Sequence, residues 1–101
     1  MRKIAMLGAG FISHFYTRTI YSNRSTDRVI SVYSRTEKSA KEFADRHNIP
    51  KWTTSMEEAI YDEEVDTVII GLPNHIRLEP VKMCAEAKKA ALEIDRFLQN
   101  K

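Results

Sequence analysis

KIAMLGAGFISHF, residues 3–15, carries an apolar run into two closely spaced glycines and then into a segment with helical spacing. The apolar run predicts a buried strand over Lys3–Leu7. Gly8 and Gly10 predict a tight turn, and apolar residues recurring at three- and four-residue intervals from Ile12 onward predict a helix. A strand, a glycine turn and a helix in this order are typical of the first unit of a parallel α/β sheet.

Strand signals recur along the rest of the chain, separated by segments with helical spacing. β-branched and aromatic residues at 28–34 predict a second strand, and residues 51–53 predict a short third one. The apolar stretch VDTVIIGL, residues 65–72, predicts a fourth strand. The sequence therefore predicts an α/β fold with a Rossmann-like parallel sheet of about four strands. The expected strand order is 3-2-1-4, with helices on both faces of the sheet.

Length, charge and cysteine content narrow the class of protein. The 101 residues predict a single domain, and the net charge of +2 is too small to indicate nucleic-acid binding. No apolar run approaches the roughly 20 residues that a membrane-spanning helix needs. The single cysteine, Cys84, excludes an intrachain disulfide, which favours a cytoplasmic location. No cluster of histidine, cysteine and acidic residues has metal-ligand spacing, so we predict no metal site.

The glycine turn has the pattern G-x-G-x-x-S. In dinucleotide-binding folds the first glycine permits the turn, the second lets the backbone approach the pyrophosphate, and the third position is small for packing. The N-terminus of the following helix offers free N–H groups to the phosphates. The turn therefore predicts a cofactor site, against the alternative of a purely structural corner. Its predicted residues are Gly8, Gly10, Phe11, Ile12 and Ser13.

The end of the second strand bears on which cofactor is preferred. An NAD site usually places an acidic residue there, whereas this chain has none between the strand and Glu37. Ser34, Arg35 and Thr36 instead supply two hydroxyls and a guanidinium, which suit a 2′-phosphate. These residues predict NADP in preference to NAD. The alternative is that Arg35 is an ordinary solvated loop residue.

Three segments together resemble the N-terminal domain of the Gfo/Idh/MocA family (glucose–fructose oxidoreductase and inositol dehydrogenase). They are IAMLGAGFIS, VYSRTEKSAKEFA and VDTVIIGLPNHIRLEPVKMCAEA, and the resemblance extends over residues 3–92. It implies an NAD(P)-dependent oxidoreductase fold whose members transfer hydride to or from sugars and polyols. It also implies that Leu72, Pro73 and Asn74 line the cofactor. The family often has P-N-x-x-H here, and Arg77 stands where that histidine would fall. His75 inherits no catalytic role.

The resemblance breaks near the C-terminal end. Family members end the last helix with a glycine and continue into a fifth strand that closes with Glu-Lys-Pro, whose lysine is the usual catalytic residue. Lys88 stands at the glycine position, and residues 94–96 read Ile-Asp-Arg. We therefore predict no catalytic residue. The family's C-terminal substrate domain is also expected to be absent.

Strong helix formers fill residues 87–100, and apolar residues keep a helical stripe. They predict one extended helix from 81 to about 99. The alternative is a fifth edge strand over residues 90–94 followed by a helical turn over 95–100. An extended helix would leave residues 65–72 at a sheet edge, which predicts a homodimer through that strand or through the helix. The helix-rich ending also favours design over gene decay as the origin of the chain.

Three hypotheses for function follow. The first is a nucleotide-binding module that takes NADP and has no turnover on its own. The second is a structural or engineered half-Rossmann scaffold, possibly dimeric, with no measurable cofactor binding. The third is a complete small NADP-dependent reductase. Hydride transfer needs substrate and nicotinamide held together in a closed site, and the sequence shows no recognisable substrate pocket or proton donor.

Overall fold

The computed structural model describes residues 2–22, 27–72 and 74–93. Strands and helices alternate through this part of the chain. The strands are β1 (Lys3–Leu7), β2 (Arg28–Tyr33), β3 (Lys51–Thr53), β4 (Thr67–Ile70) and β5 (Ala90–Glu93). The helices are α1 (Phe11–Ser22), α2 (Glu37–His47), α3 (Met56–Tyr61) and α4 (Leu78–Glu86), with a 3₁₀ turn at Asn74–Ile76 before α4.

The strands form one parallel sheet in the order β3-β2-β1-β4-β5. The predicted α/β class and the order 3-2-1-4 are therefore confirmed, with one strand added beyond β4. Alternate residues of β1 face opposite sides of this sheet. Ile4 and Met6 join an apolar cluster with Phe43 of α2, whereas Ala5 and Leu7 join a second cluster built partly from α3 and α4. Helices thus cover both faces, as predicted.

The predicted extended helix is wrong for the residues that the structure describes, which end at Glu93, because α4 ends at Glu86. Lys88 takes a left-handed conformation with φ of +58°. The N–H of Lys88 donates to the carbonyl of Ala85 at 3.2 Å, and the N–H of Lys89 donates to that of Cys84 at 2.9 Å. These two bonds form a Schellman motif, in which the carbonyls at a helix end are satisfied by the residues that leave it. Lysine here takes the place that glycine usually fills.

The chain then enters β5 instead of continuing as a helix. Ala90 donates its N–H to the carbonyl of Asp66 at 3.2 Å, and β5 pairs with β4 over its whole length. The Lys89 side chain also fixes this junction, since its Nζ donates to the carbonyls of Ile60 and Asp62 at 2.5 Å each, at the C-terminal end of α3. The alternative prediction of a fifth strand is confirmed for residues 90–93. The predicted helical turn over 95–100 lies outside the described residues.

The position of β5 changes the predicted interface. β4 lies between β1 and β5, and all four of its residues are buried, so the expected exposed fourth strand is wrong. In the described part of the chain, β5 is the outermost strand on this side of the sheet, and its four residues are exposed. Because α4 ends at Glu86, an extended helix no longer supports an origin by design. Within the described ranges, no helix combines the length and the apolar character needed to cross a bilayer.

Candidate functional site

The turn after β1 requires glycine at position 8. Gly8 has a φ of +105°, a conformation that side chains strongly disfavour. Its N–H donates to the carbonyl of Tyr33 at 2.8 Å, which joins the turn to the end of β2. A Cβ placed on Gly8 would lie 2.8 Å from the carbonyl oxygen of Gly71, at the end of β4. Gly8 therefore makes the close approach of the ends of β1 and β4 possible.

Gly10 faces open space instead. It is exposed, and a Cβ placed on it would have no neighbour within 4 Å. Its carbonyl accepts the N–H of His14 at 3.1 Å, which makes Gly10 the residue from which α1 starts. Phe11 and Ile12 follow as the first two residues of that helix, whose N–H groups have no partner within the helix. The turn therefore leaves bare backbone in front of the positive end of α1, where a pyrophosphate fits.

Ser13 lies beneath the turn and not on its surface. Its side chain is fully buried, like that of Thr17 one helical turn later. Neither hydroxyl has a hydrogen-bond partner in the described part of the chain. The small volume of serine lets α1 pack closely, which matches the packing role of the third position in the glycine pattern.

The residues predicted to contact the adenosine end follow β2 at the same edge of the sheet. Ser34 is half-buried, and its N–H donates to the carbonyl of Thr53 at 3.2 Å. Thr36 is the N-cap of α2, with its Oγ1 accepting the N–H of Ser39 at 3.2 Å. Arg35 lies between them with an exposed side chain. Arg35 thus presents a cation to solvent. Thr36 also caps α2, in addition to its predicted contact with the cofactor.

The third predicted segment follows β4. The N–H of Gly71 donates to the carbonyl of Leu7 at 2.8 Å, and the side chain of Leu72 is buried. Leu72 Cδ2 lies 3.4 Å from the position of a Cβ on Gly8. Asn74 begins the 3₁₀ turn, and Pro73 lies outside the described residues. The glycine turn and the segment after β4 therefore border one crevice at the carboxyl ends of the strands, where ligands of open α/β sheets bind.

Two residues of this region were not predicted as part of the site. Gly71 crowds Gly8 with its backbone. Its signal was present, because a glycine directly ends the most apolar strand of the sequence. Arg77 donates from Nε to the carbonyl of Leu72 at 2.8 Å. The signal for Arg77 was its departure from the histidine of the family pattern. His75, by contrast, is exposed in the 3₁₀ turn.

Two other polar groupings lie outside the crevice. His14 Nδ1 and His47 Nε2 are 2.7 Å apart, and both rings contact Phe43. Burial lowers the pKa of both imidazoles, with the charge of Arg46 acting in the same direction. Within the described ranges, no group of three or more histidine, cysteine or acidic side chains is arranged to hold a metal ion.

A pocket of about 420 Å³ lies beside β3 and α3. Its cation is already neutralised, since Lys51 Nζ lies 2.8 Å from Asp62 Oδ2 and 2.6 Å from Glu64 Oε1. Lys51 is also the main reason why the pKa of Asp62 is lowered. This pocket therefore offers no unpaired cation to an anionic ligand.

Comparisons with known proteins bear on the family and the fold of the chain. The model of the Gfo/Idh/MocA family, described as an oxidoreductase family with an NAD-binding Rossmann fold, matches residues 2–93. Trans-1,2-dihydrobenzene-1,2-diol dehydrogenase of Homo sapiens is 35% identical over 88 residues, which are 86% of this chain and 26% of that protein. The chain thus spans about a quarter of the length of the curated relatives it matches.

Solved structures show the same fold. Biliverdin reductase from Synechocystis sp. PCC 6803, in complex with biliverdin and NADP⁺, has a TM-score of 0.81 at 20% identity over 90% of this chain and 28% of that chain. Scyllo-inositol dehydrogenase from Lactobacillus casei, with bound NAD(H) and scyllo-inositol, has a TM-score of 0.83 at 14% identity over 92% of this chain and 27% of that chain. One neighbour thus holds NADP⁺ and the other NAD(H), so the fold alone is compatible with either cofactor.

Proposed function

The chain belongs to the Gfo/Idh/MocA oxidoreductase family, with its NAD-binding Rossmann fold, and we propose that it binds NADP in preference to NAD at the crevice beside the glycine turn. The observation that carries this proposal is the open backbone at Gly10, in front of the N-terminus of α1. Among the side chains that the structure describes, none lies within 4 Å of a Cβ placed on Gly10. The groups that would hold the phosphates are the first N–H groups of the helix.

The preference for NADP rests on Arg35. Its side chain is exposed in the loop between β2 and α2, one residue before the N-cap of α2. A guanidinium can make two charge-assisted hydrogen bonds to a 2′-phosphate, whereas NAD has no charge at that position for it to meet. Ser34 and Thr36 add hydroxyls on either side. A bound cofactor would supply the hydride donor or acceptor, and these residues would hold its adenosine end.

We propose further that the chain does not turn over substrate by itself. Residues 94–96 read Ile-Asp-Arg where the family has Glu-Lys-Pro, so the lysine that usually positions the cofactor and acts in catalysis is replaced. Hydride transfer also needs substrate and nicotinamide enclosed together. In the described part of the chain, the crevice is bordered by the glycine turn and by the segment after β4. A cytoplasmic location is part of the same proposal, since Cys84 is a free and buried thiol.

Calorimetric titration of the purified chain with NADP and with NAD tests the proposal. Arg35→Ala should weaken NADP binding roughly tenfold, the loss of about one charge-assisted contact, and leave NAD unchanged. Arg28→Ala is the matched control, because Arg28 is an exposed arginine at the opposite end of β2. It should change neither affinity.

The second variant tests the glycine turn itself. Gly10→Ala should weaken both cofactors at least tenfold, because its methyl group takes space next to the helix N-terminus. The absence of heat with either cofactor, from a folded protein, would refute cofactor binding and leave the structural scaffold as the function. Oxidation of NADPH by any of a panel of carbonyl sugars would refute the absence of turnover.

A further inference from the structure

Arg77 occupies a position that helix stability does not explain. It is the N-cap of α4, with helical dihedral angles and no side-chain capping bond. A positive charge near a helix N-terminus is unfavourable, because the dipole there is also positive. Even so, only 13% of the Arg77 side chain is exposed. The reason for a largely covered arginine side chain at this position must lie in its contacts.

Those contacts join two loops at the carboxyl edge of the sheet. Arg77 Nε donates to the carbonyl oxygen of Leu72 at 2.8 Å, directly after β4. Arg77 Nη1 lies 3.5 Å from Glu93 Oε1, at the end of β5. Leu72 in turn packs against the glycine turn, with Cδ2 3.4 Å from the position of a Cβ on Gly8. A continuous set of contacts therefore runs from the end of β5 through Arg77 to the crevice.

We propose that Arg77, oriented by Glu93, is a positioning residue that holds the backbone after β4 in the shape that receives the nicotinamide half of the dinucleotide. This inference rests on the proposed cofactor binding and adds a role for a residue outside the glycine turn. The guanidinium suits the task because its donors point in fixed directions, so one group can hold a carbonyl and a carboxylate together.

The two contacts of Arg77 contribute differently to stability. The bond to the Leu72 carbonyl is partly buried and charge-assisted, and its loss would leave that carbonyl without this donor. The pair with Glu93 is longer, and 49% of the Glu93 side chain is exposed, so it adds little to stability. Its effect is to orient the guanidinium. The prediction is therefore a large effect of changing Arg77 and a smaller effect in the same direction of changing Glu93.

The test compares NADPH with adenosine 2′,5′-diphosphate, which has the adenosine end alone. The wild-type chain, Arg77→Met, Arg77→Lys and Glu93→Gln are titrated with both ligands, and the fluorescence of bound NADPH reports the surroundings of its nicotinamide. In Arg77→Met the NADPH dissociation constant should rise roughly tenfold with loss of the fluorescence change, and in Glu93→Gln roughly threefold. Affinity for adenosine 2′,5′-diphosphate should stay within about twofold. Arg77→Lys, which keeps the charge, should recover part of the loss.

Each outcome decides between the two proposals. Equal weakening of both ligands would mean that Arg77 only supports the fold, and unchanged NADPH binding would mean that it has no positioning role. A wild-type chain that binds adenosine 2′,5′-diphosphate but holds NADPH no more tightly would overturn this inference and leave the proposed function in place. No binding of either ligand would overturn both. If Arg77→Met does not fold, Glu93→Gln decides alone.

Discussion

Replacing Gly8 by alanine is expected to damage the fold before it affects any ligand. Gly8 has a φ of +105°, and a Cβ there would lie 2.8 Å from the Gly71 carbonyl oxygen. A side chain in such a conformation costs roughly 1–3 kcal/mol, and overpacking against a backbone atom that cannot rotate away costs roughly 1–3 kcal/mol more. The smaller freedom of alanine in the unfolded chain returns about 0.4–1 kcal/mol. The expected loss of stability is therefore about 1–5.6 kcal/mol, out of the roughly 5–15 kcal/mol typical of a domain.

Urea unfolding followed by circular dichroism measures this loss. The midpoint for Gly8→Ala should fall while the slope of the transition stays unchanged, since the same surface is exposed on unfolding. Gly10→Ala is the matched control, because its Cβ meets nothing within 4 Å. Alanine is a poorer N-cap than glycine, so this control should lose about 1 kcal/mol or less.

Two outcomes would contradict these roles of Gly8 and Gly10. If Gly8→Ala were within about 0.5 kcal/mol of the wild-type chain, the strained turn and the contact with Gly71 would not constrain this position. If Gly10→Ala were the more destabilised variant, the roles assigned to the two glycines would be reversed. The pair of variants thus separates a glycine needed for folding from a glycine needed for access to the crevice.

Three further predictions concern helix ends and buried histidines. Lys88→Gly should raise the free energy of unfolding by about 0.5–1 kcal/mol in urea, because it removes the cost of lysine in a left-handed conformation. Asn48 has the same conformation at the end of α2. Asn48→Gly should raise the free energy of unfolding by less, because asparagine tolerates this conformation. Lys89→Met should lower stability by about 1–3 kcal/mol by removing the donor to two carbonyls at the end of α3, and an unchanged urea midpoint would contradict this. The lowered pKa values of His14 and His47 mean that the unfolded chain binds more protons below about pH 6.5, so stability should fall as the pH drops from there toward the folded-state pKa values. Urea midpoints measured across this range should show that slope, and His14→Phe should reduce it.

Local patterns were sufficient to predict most of the fold and the place of the candidate crevice within it. The glycine spacing at 8 and 10, the apolar strands and the cap at Thr36 are short-range signals with direct physical causes, and the structure has an element at each. The crevice followed because parallel strands bring their carboxyl ends to one edge. The role of Arg35 stays a prediction, which rests on the absence from its loop of the acidic residue usual for NAD.

The end of α4 could not be predicted in the same way. Residues 87–93 are good helix formers, but helix propensity differs by less than about 1 kcal/mol per ordinary residue and is overridden by tertiary pairing. Bonds from β5 to β4 and from Lys89 to the end of α3 connect segments far apart in sequence. The free-energy preference for glycine at a helix end is of about the same size as these propensity differences, so a lysine can occupy position 88. The contacts of Arg77 were missed for a related reason, since its partner Glu93 lies sixteen residues away.

The alternation of β1 between two apolar clusters has a consequence for how this sequence can change in length. Ile4 and Met6 serve one layer and Ala5 and Leu7 the other. Deleting or inserting one residue within Lys3–Leu7 would send the side chains on one side of the change to the opposite face, where they would no longer match the layer they meet. We therefore expect indels to be tolerated in loops around the sheet but not in this central strand. Neither layer should persist when the other is lost, so unfolding should be a single cooperative step.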